Sequence, residues 1–262
     1  MSNHNKRRSI SVVLLSGGIG QRAGGGQPKQ FIELNGRPVI SYSLSRFCHW
    51  LDKIEKQDSQ FRCGNVVVVG HADTLNETKT IINQTVPLWS NRIIVTIGGI
   101  TRHGSSMNGV AAIQDCNFES VILIHDTARP YVPMADLDSL LDVFRQEQSL
   151  QIASLVTAST ETLVEAENNK LKKGLDRDKV FNVKTPQALL GSLKTKFLSV
   201  TDRAEFTDLL RWAEIQNEAA QLVIGSSLNM KLTYFTDFQV MQLLLQQLEL
   251  EESKKEVYGN QQ

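Results

Sequence analysis

An apolar run, Ile10 to Leu15, stops abruptly at a segment with six glycines, at 17, 18, 20, 24, 25 and 26, and two cations, Arg22 and Lys29. Glycines let a backbone turn tightly and bring its N–H groups close to a ligand. The cations indicate that this ligand is anionic, and a nucleoside triphosphate is the obvious candidate. Gly18-Ile19-Gly20-Gln21-Arg22-Ala23 formally fits the dinucleotide fingerprint, which opens a helix at the first crossover. Three further glycines and Pro28 would break such a helix. A P-loop requires Gly-Lys-Ser/Thr, and the chain contains no Gly-Lys pair. The remaining rival is a flexible surface loop.

The downstream hydrophobic pattern decides between these readings. Val39 to Trp50 carries apolar residues at helical spacing, and Val66 to Val69 is a continuous β-branched run suited to a strand buried on both faces. A helix is predicted over Thr74 to Gln84, a strand over Arg92 to Ile97 and a helix from about Ser105 to Gln114. A strand over Ser120 to His125 and a helix over Met134 to Gln146 come next. This alternation argues for an α/β fold, a Rossmann-like open, mostly parallel sheet with helices on both faces. Ligands of such sheets bind beyond the carboxyl ends of the strands. Three polar clusters stand at those ends: the glycine segment, Gly98 to Arg102, and His125 to Pro130.

From Ala153 to Val183 the pattern changes to short strand pieces around the turn Glu167 to Lys170, with Val180 to Val183 as the return strand. We read this as an antiparallel β-arm, with too little core to stand alone and therefore packed on a second copy as a homodimer. Thr185-Pro186-Gln187 marks re-entry, and helices are expected at about Leu193 to Val200 and Thr207 to Gln216. A last strand covers Gln221 to Gly225. A long helix is expected from an N-cap at Thr236, with Leu243, Leu244 and Leu245 as core. The expected organisation is a single domain over 1–248 with a polar tail over 249–262, frayed from Glu251 onward.

Lys+Arg and Asp+Glu balance at 28 each, which argues against a general nucleic-acid binder. Cys48, Cys63 and Cys116 form neither a zinc pattern nor a disulfide framework. The polar start, Met1 to Ser9, is followed by an apolar run too short for a signal sequence or a membrane span, so a cytoplasmic protein is expected.

The clusters, in this order, resemble the CTP-dependent cytidylyltransferases that activate sugar-alcohol phosphates, a group including the methylerythritol-phosphate and ribitol-5-phosphate enzymes. The matching blocks are Gly-Gly-x-Gly-x-Arg with Pro-Lys-Gln-Phe, Gly-Gly-x-x-Arg-x-x-Ser with Asn108-Gly109, His-Asp-x-x-Arg-Pro, Thr-Pro-Gln, and Asn-x-Lys-x-Thr. The resemblance implies a nucleotide-diphospho-sugar transferase type of fold, with Arg22, Lys29 and Lys231 as catalytic cations. CTP would be held by Ser16, Gly17, Gly18, Gly20, Gly99, Arg102, Ser105, Asp126 and Thr127. Asp126 would also hold Mg²⁺, and Arg129, Thr162, Glu165, Thr207 and Asp208 would address the acceptor. His125 reads as a strand-end hydrogen-bonding residue rather than a base. Thr207 would serve the acceptor, the helix N-cap, or both.

The acceptor half departs from the isoprenoid enzymes. Glu165 stands where their arm carries a basic residue, and a carboxylate facing a phosphate would repel it. Gly174 stands in place of an arm threonine, Leu209-Leu210 in place of small polar residues, and Ser16 in place of alanine. These departures favour a pentitol phosphate such as D-ribitol 5-phosphate, with 2-C-methyl-D-erythritol 4-phosphate as the alternative. A non-catalytic nucleotide-binding relative is the contrasting class.

Overall fold

The glycine segment is preceded by β1, Arg8–Ser16, buried from Ser9 onward. The computed structural model describes residues 7–18, 27–147, 149–201 and 205–259, and for 252–259 the helix alone. Alternate side chains of β1 feed two different cores. Ile10, Val12 and Leu14 face one side, where they meet α1 (Val39–Gln57), α2 (Leu75–Thr85) and α4 (Met134–Gln146). Val13 and Leu15 face the other, against α3 (Arg102–Ala111), α5 (Lys194–Ser199) and α6 (Leu209–Ile215).

Parallel to β1 run β4, Phe61–Gly70, on one side and β6, Val121–Asp126, on the other. Beyond β4 lies β5, Ile93–Ile97. Beyond β6 come β10 (Phe181–Leu190), β7 (Ile152–Ala158) and the edge strand β11 (Gln221–Ile224). Among the described residues, the seven-stranded sheet is antiparallel only at β10, which runs against both β6 and β7. The chain moves outward from β1 through β4 to β5, then returns to β1's other flank at β6. The reversal opens a crevice at the carboxyl ends of β1, β4 and β6, where open α/β sheets bind ligands.

A third apolar cluster joins the two ends of the fold. Two short strands, β2 (Glu33–Leu34) and β3 (Arg37–Pro38), form a hairpin after the glycine segment. The terminal helix α7, Phe235–Gly259, lays Phe238, Met241 and Leu245 on Leu34, Val39 and Tyr42.

Five expectations about elements are corrected. The arm is a separate hairpin of β8 (Val164–Glu167) and β9 (Lys170–Gly174), whereas Val180 to Val183 belongs to the start of β10 in the main sheet. Helix α3 begins at Arg102, because the Thr101 hydroxyl accepts the Gly104 N–H at 2.9 Å and so caps it. Helix α7 begins at Phe235, before Thr236. The Asp237 carboxylate reaches back to the N–H groups of Thr233 and Tyr234 at 2.6 and 2.7 Å, the acidic half of a capping box. Its helical backbone continues to Gly259 through the segment expected to be frayed. Leu243 points away from the core and is exposed, since only every third or fourth residue of α7 faces the protein.

Candidate functional site

The crevice is a cavity of about 500 Å³ that gathers residues from across the sequence. Ser16, Gly17 and Gly18 come from the end of β1, and Lys29 and Gln30 from the helical turn Lys29–Phe31. Gly99, Arg102 and Ser105 come from the loop after β5 and the first turn of α3. Asp126 and Thr127 stand at the end of β6, and Lys231 lies ahead of α7. Ten of the residues expected to bind CTP or catalyse its reaction therefore share one cavity. Gly20 and Arg22 lie outside the described residues.

Asp126 is the electrostatic centre. One carboxylate oxygen accepts from Arg102 Nε and the other from Lys231 Nζ, both at 2.8 Å. Burial alone would raise its pKa. Arg102, then Lys231 and the nearby Arg129, outweigh burial and hold it well below the usual carboxylate range. The described lining thus has three cations, Lys29, Arg102 and Lys231, against the one carboxylate of Asp126, a charge balance that attracts polyphosphate. Lys29 is positioned from the far end of the chain, because its Nζ donates to the carbonyls of Leu232 and Thr233 at 3.3 and 2.9 Å.

The glycines do different jobs. A Cβ on Gly99 would lie 2.6 Å from the Gly104 carbonyl carbon and 3.0 Å from Ser105 N, so the loop can seat against α3 only as glycine. The Ser105 hydroxyl accepts the Gly99 N–H at 3.1 Å and locks this contact. At Gly18, a lining residue of the crevice, nothing among the described residues lies within 4 Å of a Cβ position.

Two further polar groups in the lining have no partner among the described residues: the buried Ser16 hydroxyl and the Gln30 carboxamide nitrogen. Orphaned buried polar atoms are rare and call for an explanation, and a bound nucleotide would supply one. Sequence reasoning missed Gln30 although it stands inside the Pro-Lys-Gln-Phe block, where the charge of Lys29 drew the attention.

The acceptor residues do not assemble in the same way. Arg129 lies beneath the crevice, with its two terminal nitrogens donating to the carbonyls of Asn229 (3.0 Å) and Val183 (3.3 Å). In this state it braces the backbone and adds positive field to Asp126. Asp208 caps α6 by accepting the Arg211 N–H at 2.8 Å, so the capping role expected of Thr207 belongs to its neighbour. Thr207 is exposed, and its carbonyl accepts from Arg102 at 3.3 Å. Thr162 and Glu165 are exposed on the arm and do not line this cavity. The Thr127 hydroxyl donates to the Leu15 carbonyl at 2.9 Å and ties β6 to β1.

His125 fits its expected structural role. Its ring nitrogens meet the Arg129 carbonyl and the Thr185 hydroxyl, each at 3.0 Å. Burial lowers its pKa to about 4, which keeps the ring neutral at pH 7. The described residues contain no group of three or more His, Cys, Asp or Glu placed to hold a metal ion.

A mostly parallel sheet with a cationic crevice at its switch point, and no nucleophilic side chain poised there among the described residues, is the arrangement of a nucleotidyltransferase. The family model for IspD, 2-C-methyl-D-erythritol 4-phosphate cytidylyltransferase, matches residues 10–247. The chain belongs to this family and is thus a CTP-dependent nucleotidyltransferase. The 2-C-methyl-D-erythritol 4-phosphate cytidylyltransferase of Leptospira borgpetersenii is 33% identical over 231 residues, covering 88% of this chain and 91% of the relative. That of Leptospira interrogans is 34% identical over 234 residues, covering 89% and 91%. The crystal structure of 4-diphosphocytidyl-2C-methyl-D-erythritol synthase from Anaerococcus prevotii superposes with a TM-score of 0.72 at 22% identity, covering 91% of this chain and 99% of that one. At that identity it supports the fold.

Proposed function

We propose that this chain transfers the cytidylyl group of CTP to 2-C-methyl-D-erythritol 4-phosphate with release of pyrophosphate. The observation carrying the chemistry is the convergence of Lys29, Asp126 and Lys231 in one crevice. Ser16, Gly17, Gly18 and Gln30 cradle the triphosphate with N–H, hydroxyl and carboxamide groups. Lys29 sits toward the α-phosphate, where charge builds as the acceptor oxygen attacks and pyrophosphate leaves. Lys231 and Arg102, now held by Asp126, can move to phosphate oxygens when these arrive. In-line attack then needs positioning and charge neutralisation, and no covalent enzyme intermediate.

Mg²⁺ fits the donor set. This ion is commonly held by one or two carboxylates together with substrate phosphates, and Asp126 supplies one carboxylate at the crevice. When bound, the ion would neutralise phosphate charge, and Asp126 would exchange one of its cation partners for it.

The names of the relatives support methylerythritol phosphate over the pentitol phosphate favoured by the sequence. Repulsion between Glu165 and an acceptor phosphate is also weaker than its charge suggests. Glu165 is not a bare carboxylate, because Lys172 across the hairpin donates to it at 2.6 Å. Its charge is compensated before any acceptor arrives.

The arm supports a homodimer. All residues of β8 and β9 are exposed, including Val164 and Leu171. An isolated two-stranded hairpin is marginal in water, so a second copy covering it would account for its order. Cys48, Cys63 and Cys116 are all free thiols, in keeping with a reducing cytoplasm.

Pyrophosphate release measured with CTP, Mg²⁺ and each acceptor in turn tests the reading. We expect kcat/KM for methylerythritol phosphate to exceed that for D-ribitol 5-phosphate by about 10²-fold, the discrimination a pocket achieves against an analogue that differs by a methyl or hydroxyl group. The reverse order would restore the pentitol reading. CTP binding without turnover of either would remove both acceptor assignments.

A further inference from the structure

A second cavity of about 510 Å³, sharing no lining residue with the crevice, lies between α1, α7 and the segment after β6. Its polar lining is cationic and aromatic. The Arg37 guanidinium lies 4.7 Å from the Tyr42 ring centroid and donates to Ser45 Oγ at 3.1 Å. The Arg46 guanidinium lies 4.9 Å from the Tyr131 ring centroid. Tyr42 is itself held, its hydroxyl donating to the Leu34 carbonyl at 2.5 Å. A guanidinium stacked on an aromatic face keeps its N–H edge free for bidentate bonds to phosphate or carboxylate, and its orientation is set in advance. Met134, Leu245 and Leu248 supply apolar wall. Glu249 and His49 complete the rim, so among the described lining residues two arginines stand against one acid. The volume falls within the range of small-molecule sites.

The cavity is also mechanically linked to the crevice. Three of the four crevice charges, Lys29, Asp126 and Lys231, stand at the front of a segment whose continuation lines this second cavity. From Lys29 the chain runs through β2 to Arg37. From Asp126 it runs to Pro130 and Tyr131, and from Lys231 into α7 and Leu245. Close-packed segments transmit displacement rather than absorb it.

We propose that this cavity is an effector site for an organic phosphate with an apolar or aromatic body, and that its occupancy alters the affinity of the crevice for CTP. Arg37 and Arg46 grip the phosphate, the apolar wall takes the body, and the three shared segments carry the coupling.

Phenyl phosphate is the probe, titrated calorimetrically into the full chain, with phenol and inorganic phosphate as controls. We expect phenyl phosphate to bind at least about tenfold more tightly than either control, and Arg46→Met and Arg37→Met each to weaken it by about tenfold, the loss of one charge-assisted contact. At saturation it should shift the CTP dissociation constant by about fivefold or more in the wild type, the lower range of allosteric coupling. Both variants should keep the wild-type CTP affinity and melting temperature in the absence of the probe. Failure of the wild type to bind the probe would overturn the proposal. So would binding unchanged in both variants, or binding without any CTP shift. A CTP shift that survives in both variants would place the probe in the crevice, and would equally defeat it.

Discussion

Replacing Gly99 by alanine tests how the crevice is held in register. The added Cβ would stand 2.6 Å from the Gly104 carbonyl carbon, 2.8 Å from Gly104 Cα and 3.0 Å from Ser105 N. All three are backbone atoms, so no side chain can swing aside. Reaching ordinary contact at 3.4 Å from 2.6 Å requires the loop and the first turn of α3 to separate by about 0.8 Å. Arg102 sits in that turn, with its Nε 2.8 Å from the Asp126 carboxylate. If the helix takes up the whole displacement, that distance passes about 3.5 Å and the hydrogen bond is lost. Overpacking of this kind costs about 1–3 kcal/mol, which lowers the melting temperature by about 2–4 °C for each kcal/mol in a chain of this size. Misplacement near 1 Å in a positioning site costs about 10²-fold in rate. Steady-state pyrophosphate release at varied CTP, with a thermal melt alongside, reads both effects. Ser105→Ala is the control, since it removes the tie to Gly99 without adding bulk and should cost under about fivefold. A Gly99→Ala enzyme within twofold of wild type in kcat/KM and with an unchanged melt would refute the reasoning.

Lys29→Ala should lower kcat by about 10²-fold or more, the usual cost of losing a charge-stabilising donor, and near-full activity would end its assignment to the α-phosphate. Asp126→Asn leaves Arg102 and Lys231 without their counter-ion; kcat/KM for CTP should fall by a similar factor, and an unchanged value would show that the carboxylate only organises the empty site. Asp126 also carries an acid signature. Its folded pKa lies below the ordinary 3.8, so its contribution to stability is present above that pH and is lost as pH falls through the folded value. His125 acts in a higher window, because burial lowers its pKa from 6.5 to about 4. The unfolded chain takes up the proton first, so this contribution is complete above pH 6.5 and declines toward pH 4, by about 3 kcal/mol at most. Urea unfolding of wild type and His125→Asn at pH 7 and 4.5 should show a smaller pH-dependent loss in the variant; equal losses would discard the assignment. Finally, joining Thr162 to Leu175 by a short glycine linker should shift sedimentation from dimer to monomer, and a dimer that survives would free the arm of that role.

Much of the sheet was legible because its inner strands are buried on both faces and read as continuous apolar runs, as at Val66 to Val69 and Val121 to Ile124. Strand β9 was not, since Lys170-Leu171-Lys172-Lys173-Gly174 is exposed and offers no periodic signal. Only the start of β10 was read, because Thr185-Pro186 breaks the pattern. The structure absorbs that break as a register irregularity between Val183 and Gln187. In the crevice, residue type and position at a strand end sufficed for Lys29, Asp126 and Lys231. They did not suffice for Arg129, because nothing in its identity says whether a guanidinium points into a cavity or down onto backbone carbonyls. Gln30 was hidden for the opposite reason. A neutral carboxamide beside a lysine declares itself only once its nitrogen is found buried without a partner.

The bond from Lys29 to the carbonyls of Leu232 and Thr233 spans more than two hundred residues of sequence. During synthesis, therefore, the first-made part of the binding site must wait for nearly the last. A nascent chain that has emerged only as far as Asn229 holds Asp126 without Lys231, and Lys29 without its backbone anchor. Nucleotide affinity would rise steeply as the terminal helix docks on Leu34 and Tyr42. CTP binding thus reports closure of the whole chain, and a stalled or clipped product would remain silent toward the nucleotide however well its central strands had paired.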